Sequence, residues 1–248
     1  MEEQQPLPQA PSLGTTFMDV FTSPSEIFQN LKGTASKPML WVVPLIATLL
    51  VTIIATVMLF TNETLKVEMK DVQSKAIQMQ IEKGKLTQEQ ADQAESRMDS
   101  MGGMMIVFGI IGSIVLICAY YFGGALFLWL TNKAILKSNE GYGKHLELYG
   151  IASWIGVLGG IIAALMMVGL GTMTATPSAA LAVLGSYDST SNFHKLLSAI
   201  NIFSIWETAV IGIGLSKLSG KSTGAGIGVA FALWIVWVAV SIFLGFSR

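Results

Sequence analysis

The side chain best placed to do chemistry in this chain is Glu207, the one acidic or basic residue inside five long apolar runs. A charge at mid-membrane depth costs at least about 2.5 kcal/mol on insertion scales, so Glu207 is expected to face the interior of a helix bundle. Asn201, Ser204 and Trp206 lie within about two helical turns of it. These four residues form a candidate intramembrane polar site, in which Ser204 shares the helix face of Glu207.

Two hypotheses explain a carboxyl group in this setting. Glu207 could bind an ion or relay a proton, as in a small transporter or channel. It could instead make a buried polar contact that fixes the register of its helix. A relay needs further members, and the apolar runs contain no second carboxylate and no basic residue. The structural hypothesis is therefore favoured, and the transporter remains the alternative.

Other chemistry has no residues to support it. His145 and His194 are isolated in connecting segments, where we expect solvated or interfacial positions and no metal site. Gly220-Lys221-Ser222 has the tail of a phosphate-binding loop but lacks its upstream glycine. Cys118 lies inside an apolar run, where a thiol packs as a small residue. We expect no enzyme, no cofactor and no metal.

The apolar runs define the fold class. A helix needs roughly 20 apolar residues to cross a hydrocarbon core, and each run is at least that long. The composition agrees, because 52% of residues are hydrophobic and only 12% are charged. The sequence predicts an all-α membrane protein, a bundle of five transmembrane helices. The spans are about 38–60, 103–130, 151–172, 196–216 and 224–246.

Small residues recur at four-residue intervals in two of the runs. Such spacing lets helix backbones approach closely in a membrane. We expect the two faces to pack spans three and five together within one chain, with dimerisation as the alternative. The residues are Ala152, Gly156, Gly160 and Ala164 in the third run, and Gly224, Gly228 and Ala232 in the fifth.

Residues 1–37 form an N-terminal segment ahead of the membrane domain, 38–248. Phe17, Val20 and Phe21 are spaced as one face of a short helix. Ser23, Pro24 and Glu26 then predict a capping box at the start of an amphipathic helix that ends near Leu31. Its apolar face, formed by Ile27, Phe28 and Leu31, is expected to pack against the bundle. The alternative is that this helix lies in the membrane interface.

The connection 61–102 reads as a helical hairpin inserted between spans one and two. Gly84 interrupts a thin apolar stripe, and Thr87 begins a second helix with a capping box. The simplest interpretation is a small solvated hairpin. The alternative is a docking helix or an oligomer contact.

Charge predicts the orientation of the bundle. Five spans place the two termini on opposite sides. The N-terminal segment and the connections on its side carry seven basic residues: Lys32, Lys37, Lys133, Lys137, Lys144, Lys217 and Lys221. The third connection and the C-terminus carry only Lys195 and Arg248. The positive-inside rule then places the N-terminus in the cytoplasm and the C-terminus outside. The first connection opposes this, because it adds six basic residues to the far side, beside eight acidic ones.

Three short motifs resemble the YIP family, the Ypt/Rab-interacting-protein membrane domain. Phe21-Thr22-Ser23-Pro24 with Phe28 resembles the entry to that domain. Tyr121-Phe122-Gly123-Gly124 resembles its second span, and the stretch from Asn201 to Trp206 resembles its fourth. The likeness covers about residues 15–246, and the five-span plan with a cytosolic N-terminus also matches.

The resemblance implies a non-enzymatic membrane adaptor or organiser that acts through protein or lipid contacts. Eukaryotic members carry an Asp-Leu-Tyr-Gly-Pro motif that this chain lacks, so Rab binding is unsupported here. Ser153-Trp154 stands where many bacterial relatives have a proline. We expect a bacterial-type member in the cytoplasmic (inner) membrane. The expected partners are membrane lipid, a membrane or peripheral protein, or a second copy of the chain. With a net charge of −1, nucleic acid is not expected.

Overall fold

The computed structural model describes residues 11–101 and 103–244, and within these residues it is helical without strands. Residues 1–10 and the end of the fifth run, with Arg248, lie outside the described residues. The α-helices are α1 (Leu13–Thr22), α2 (Pro24–Leu31), α3 (Met39–Thr61), α4 (Glu63–Glu82), α5 (Gln88–Met101), α6 (Met104–Ala134), α7 (Tyr142–Leu170), α8 (Asn192–Ala199), α9 (Ile202–Ser219) and α10 (Thr223–Leu244). A 3₁₀ helix covers Ala179–Ser186.

Five helices, α3, α6, α7, α9 and α10, are long and apolar enough to cross a membrane, which confirms the predicted fold class. The third span begins earlier than predicted, at Tyr142 after the N-cap Gly141. The extra turns include Lys144 and Glu147, whose charges ended the apolar pattern. Both side chains are buried, so a charged stretch of sequence here forms part of the packed helix.

The fourth span is shorter at its start than predicted. Residues 196–199 belong to the separate helix α8, and α9 begins only at Ile202. The Asn201 side chain accepts hydrogen bonds from the backbone N–H groups of Phe203 and Ser204, which is N-cap geometry. The apolar pattern runs through this break because apolar residues lie on both sides of it.

Helix α7 lies at the centre of the bundle and packs against α3, α6 and α9, whereas α10 packs mainly on α9 and α6 also contacts α3. Glycines set the closest approaches. A Cβ atom on Gly150 would lie 2.5 Å from the Cα of Trp41, and one on Gly212 would lie 2.5 Å from the Cα of Ile227. The α3–α7 and α9–α10 pairs are therefore in backbone contact.

The predicted packing of spans three and five is wrong in its register on α10. Gly224, Gly228 and Ala232 are exposed, whereas Gly226 and Ala230 are buried. Gly226 packs against Gly212 and Ser216 of α9, so α9 is the partner of the packed face. Spacing of four residues occurs on both faces of α10, and only the helix contacts distinguish them.

The predicted face of α7 is divided among several neighbours. Ala152 is fully buried in the core. Gly156 faces Glu207 of α9, and Gly160 faces Val51 of α3. Ala164 is half-buried. The small residues of α7 therefore serve contacts on two sides of this central helix.

Both N-terminal helices pack against the bundle, which was expected for α2. Ile27, Phe28 and Leu31 are almost fully buried in the same core cluster as Leu215 of α9. Helix α1 is held by an edge-on ring contact between Phe17 and Trp154, with centroids 5.0 Å apart.

The N-terminal capping box is not formed. Ser23 is the N-cap and Pro24 begins α2, with Glu26 in the first turn, but no side-chain capping bond is made. Ser23 is also the C-cap of α1, and its backbone N–H donates to the Asp19 carbonyl. That N–H is the group that a Glu26 side chain would have bonded.

The inserted hairpin is confirmed as α4 and α5. Gly84 adopts φ +66°, a conformation that favours glycine, between the two helices. Thr87 and Gln90 make the reciprocal hydrogen bonds of a capping box, at 3.0 and 3.2 Å. Near the membrane end, the Glu68 carboxylate accepts bonds from the Thr172 hydroxyl and the Met173 N–H. The hairpin is thus fixed to the end of α7.

Candidate functional site

Glu207 lines a partly open cavity of about 490 Å³ between the helices. This volume lies within the range of small-ligand sites, roughly 300–1,000 Å³. The cavity is bounded by α6, α7, α8, α9 and α10, with Thr176 from the connection after α7. Its polar and aromatic lining consists of Tyr120, Tyr149, Thr176, Lys195, Ser198, Asn201, Ser204, Glu207, Thr208, Trp234, Trp237 and Ser241.

The carboxyl group of Glu207 lies against Gly156, at the mid-length of α7. A Cβ atom on Gly156 would come within 2.9 Å of Oε2, so glycine leaves the room that the carboxyl group occupies. Within residues 11–101 and 103–244, Glu207 makes no hydrogen bond or ion pair. The buried polar contact that the structural hypothesis predicts for Glu207 is therefore not seen among these residues.

Aromatic residues of α6, α7 and α10 form an aromatic wall of the cavity. Tyr120 of α6 and Trp237 of α10 meet edge-on, with ring centroids 5.1 Å apart. They are 47% and 44% exposed although they line the cavity, so this pair stands between the cavity and the outer surface of the bundle. Tyr149 reaches the cavity from α7, where its ring packs edge-on against Tyr121 at 5.1 Å.

The structure brings together three of the four residues of the candidate polar site. Asn201, Ser204 and Glu207 all line the cavity. Trp206 lies on another face of α9, where it stacks on Phe203 and meets Phe21 of α1 edge-on. Trp206 therefore belongs to the packing of the N-terminal helices.

Sequence reasoning missed most of the aromatic wall. Trp234, Trp237 and Ser241 line one side of the cavity from α10, and their spacing is that of a single helix face. This signal is present in the sequence. Tyr120 and Tyr149 carry no comparable signal, because their meeting depends on how α6 and α7 cross.

A second polar group, also missed, lies at the end of the bundle where α3 begins. Lys144 and Glu147 form an ion pair of 2.7 Å with both side chains buried. Glu147 Oε1 accepts bonds from the Ser36 hydroxyl and the Lys37 N–H. The Lys144 ammonium donates to the Thr34 hydroxyl and the Ala35 carbonyl. These bonds fasten residues 34–37, which join α2 to α3.

The expected solvated position of His145 is wrong, because the side chain is fully buried in α7. Its Nδ1 lies 3.0 Å from the Gly141 carbonyl oxygen, and its Nε2 lies 2.8 Å from Asn132 Nδ2. A proton on Nδ1 satisfies both bonds, since Nε2 then accepts from the amide. The pair joins α6 to α7.

His194 is half-buried and stacks on Tyr187. In the part of the chain that the structure describes, no group of three His, Cys, Asp or Glu residues could hold a metal ion.

Comparison with known proteins gives one match. A family model for the Yip1 domain matches residues 18–245. The match begins inside α1 and extends through all five spans. No curated protein and no solved structure matches the chain.

Proposed function

The chain belongs to the Yip1-domain family, generally non-enzymatic membrane-trafficking proteins, and on this premise we propose that it is a bacterial-type member that organises a membrane through protein or lipid contacts. It catalyses no reaction in this proposal. The observation that carries the proposal is the family match over residues 18–245, which includes part of α1 and all of α2. The matched region therefore includes residues of the N-terminal helices as well as the five spans.

The geometry supports a preformed contact surface at the N-terminal end. We define the N-terminal platform as α1, α2 and residues 32–37. Phe28 packs on the core, and the Lys144–Glu147 pair holds the linker. Met18 is 61% exposed on α1 and is free to meet a partner. A surface that is already ordered loses little conformational entropy on binding.

The proposal includes an orientation. The platform faces the cytoplasm, and the C-terminus lies outside a bacterial inner membrane. Six exposed or half-buried basic residues at the platform end support it under the positive-inside rule: Lys32, Lys37, Lys133, Lys137, Lys217 and Lys221.

Photo-cross-linking tests the platform. A photoreactive amino acid is placed at Met18 of the full chain in native membranes, and a matched probe is placed at Leu165, an exposed apolar residue of α7. We expect a discrete adduct, with a protein or one lipid class, from Met18 and only bulk-lipid adducts from Leu165. Identical adducts from both positions would remove the platform from the proposal.

A small transporter that uses Glu207 is the second candidate function. The observation that favours it is the carboxyl group without a hydrogen-bond partner in the described residues, facing a cavity whose lining also includes Lys195 and Ser198 of α8. This candidate requires that the purified chain moves an ion or solute and that Glu207→Gln abolishes the movement.

A further inference from the structure

The cavity combines one carboxyl group with four aromatic side chains. Glu207, Tyr120, Tyr149, Trp234 and Trp237 all line it. We propose that this cavity binds an organic ammonium group, with Glu207 as its counter-charge and the aromatic rings as its walls. Aromatic faces attract cations, because the face of the ring carries negative charge.

This lining fits an ammonium group better than a metal ion. Calcium takes six to eight oxygen ligands, and magnesium requires octahedral oxygen coordination. The cavity has one carboxylate, and Asn201 already uses its side-chain oxygen to cap α9. An ammonium group needs only one opposite charge, and ring faces supply the remaining contacts.

The exposed edge of the cavity indicates where such a group comes from. Tyr120 and Trp237 lie at the outer surface between α6 and α10, where lipid surrounds the bundle. Lys195 of α8 also lines the cavity and offers a positive charge. A zwitterionic headgroup such as phosphatidylethanolamine matches both charges, with its amine toward Glu207 and its phosphate toward Lys195. A free amine from solution offers the same ammonium chemistry without the phosphate.

The inference rests on the proposed function, because it names a lipid class for the proposed lipid contacts. The two can fail separately. Loss of ammonium binding leaves the cross-linking result at Met18 unaffected, and loss of the Met18 adduct leaves binding in the cavity unaffected.

Native mass spectrometry tests the lipid source. The full chain is extracted from vesicles that contain equal amounts of phosphatidylethanolamine and phosphatidylglycerol, and retained lipids are counted. We expect one phosphatidylethanolamine per chain, and at least about tenfold weaker retention for Glu207→Gln, equivalent to 1.4 kcal/mol. Glu63→Gln, which removes an exposed carboxylate, should retain lipid as the wild type does. Equal retention of both lipids, or unchanged retention in Glu207→Gln, overturns a lipid site.

Tetramethylammonium tests the soluble source. Its binding is followed by tryptophan fluorescence, since Trp234 and Trp237 line the cavity. Saturable quenching that Glu207→Gln abolishes supports an ammonium site even if phosphatidylethanolamine is not retained. Absence of binding in both experiments overturns the proposal.

A second variant separates the site from folding. Gly156→Ala places a methyl group 2.9 Å from Oε2 of Glu207, the mobile end of that side chain, so the fold should survive while the carboxyl group moves. We expect this variant to bind the ligand of the wild type more weakly. Its unfolding temperature should stay close to that of the wild type. Unchanged binding in this folded variant contradicts the role of Glu207.

Discussion

Two acidic residues of this bundle, the fully buried Glu147 and the half-buried Glu207, have different surroundings. Glu147 is fully buried and satisfied, because Lys144, the Ser36 hydroxyl and the Lys37 N–H all bond it. Glu207 lines a cavity and has no such partner among residues 11–101 and 103–244. A buried charge with a complete set of partners serves structure, whereas a carboxyl group without partners beside a cavity is a candidate site for a ligand. Sequence reasoning singled out Glu207, but Tyr120 and Tyr149, which line the same cavity, could not be predicted, since they come from two other spans.

The Lys144–Glu147 pair yields a stability prediction. Glu147→Ala leaves a buried ammonium group without its counter-charge, so we expect a loss of about 3–5 kcal/mol in the free energy of unfolding. Denaturant titration of the purified chain in detergent measures it. Glu63→Ala breaks the exposed Glu63–Lys66 pair instead and should change stability by less than about 1 kcal/mol. Similar losses in both variants would show that the buried pair does not hold the linker.

At the level of elements, the number and class of the spans follow from the sequence because lipid demands long apolar helices. Their ends do not. Charges interrupt the pattern at the start of α7 although the helix continues. At Asn201 the helix breaks although the residues on both sides are apolar. Burial against neighbouring helices decides both boundaries, and a single-helix pattern contains no information about neighbours.

The register of α10 can be tested with two glycines that lie two residues apart. Gly226→Ala places a Cβ atom in contact with the Gly212 carbonyl and 2.7 Å from the Ser216 N. Because these are backbone atoms, we expect strong destabilisation, on the order of 1–3 kcal/mol for overpacking. Gly228 has open space around it, so Gly228→Ala should be neutral or slightly stabilising. Thermal unfolding of both variants measures the difference. The opposite ranking of their unfolding temperatures would restore the register predicted from the sequence.

At the scale of the whole molecule, the N-terminal platform and the five spans form one packed unit. Phe28 of α2 contributes to the same core cluster as Leu148 of α7. The amphipathic spacing of Ile27, Phe28 and Leu31 predicted a packed helix. The cavity was beyond prediction, because five helices and the connection after α7 contribute to it and no single element reveals it.

The proposed orientation predicts which thiols are accessible from each side. In a Cys118→Ala background, Lys75→Cys on the exposed surface of α4 should react with a membrane-impermeant maleimide added outside the cell. Met18→Cys on α1 should react only after the membrane is opened. Both positions are exposed, so burial does not confound the comparison. Labelling of Met18→Cys in intact cells would reverse the topology.

The measurement that tests the central claim most directly is ion and solute flux through sealed vesicles that contain the purified chain. An organiser moves nothing, so we expect wild type, Glu207→Gln and the exposed-carboxylate control Glu63→Gln to show the same background leak. Flux in the wild type that Glu63→Gln retains and Glu207→Gln abolishes would contradict the organiser and establish the transporter. The two variants differ only in whether the lost carboxylate faces the cavity or the solvent.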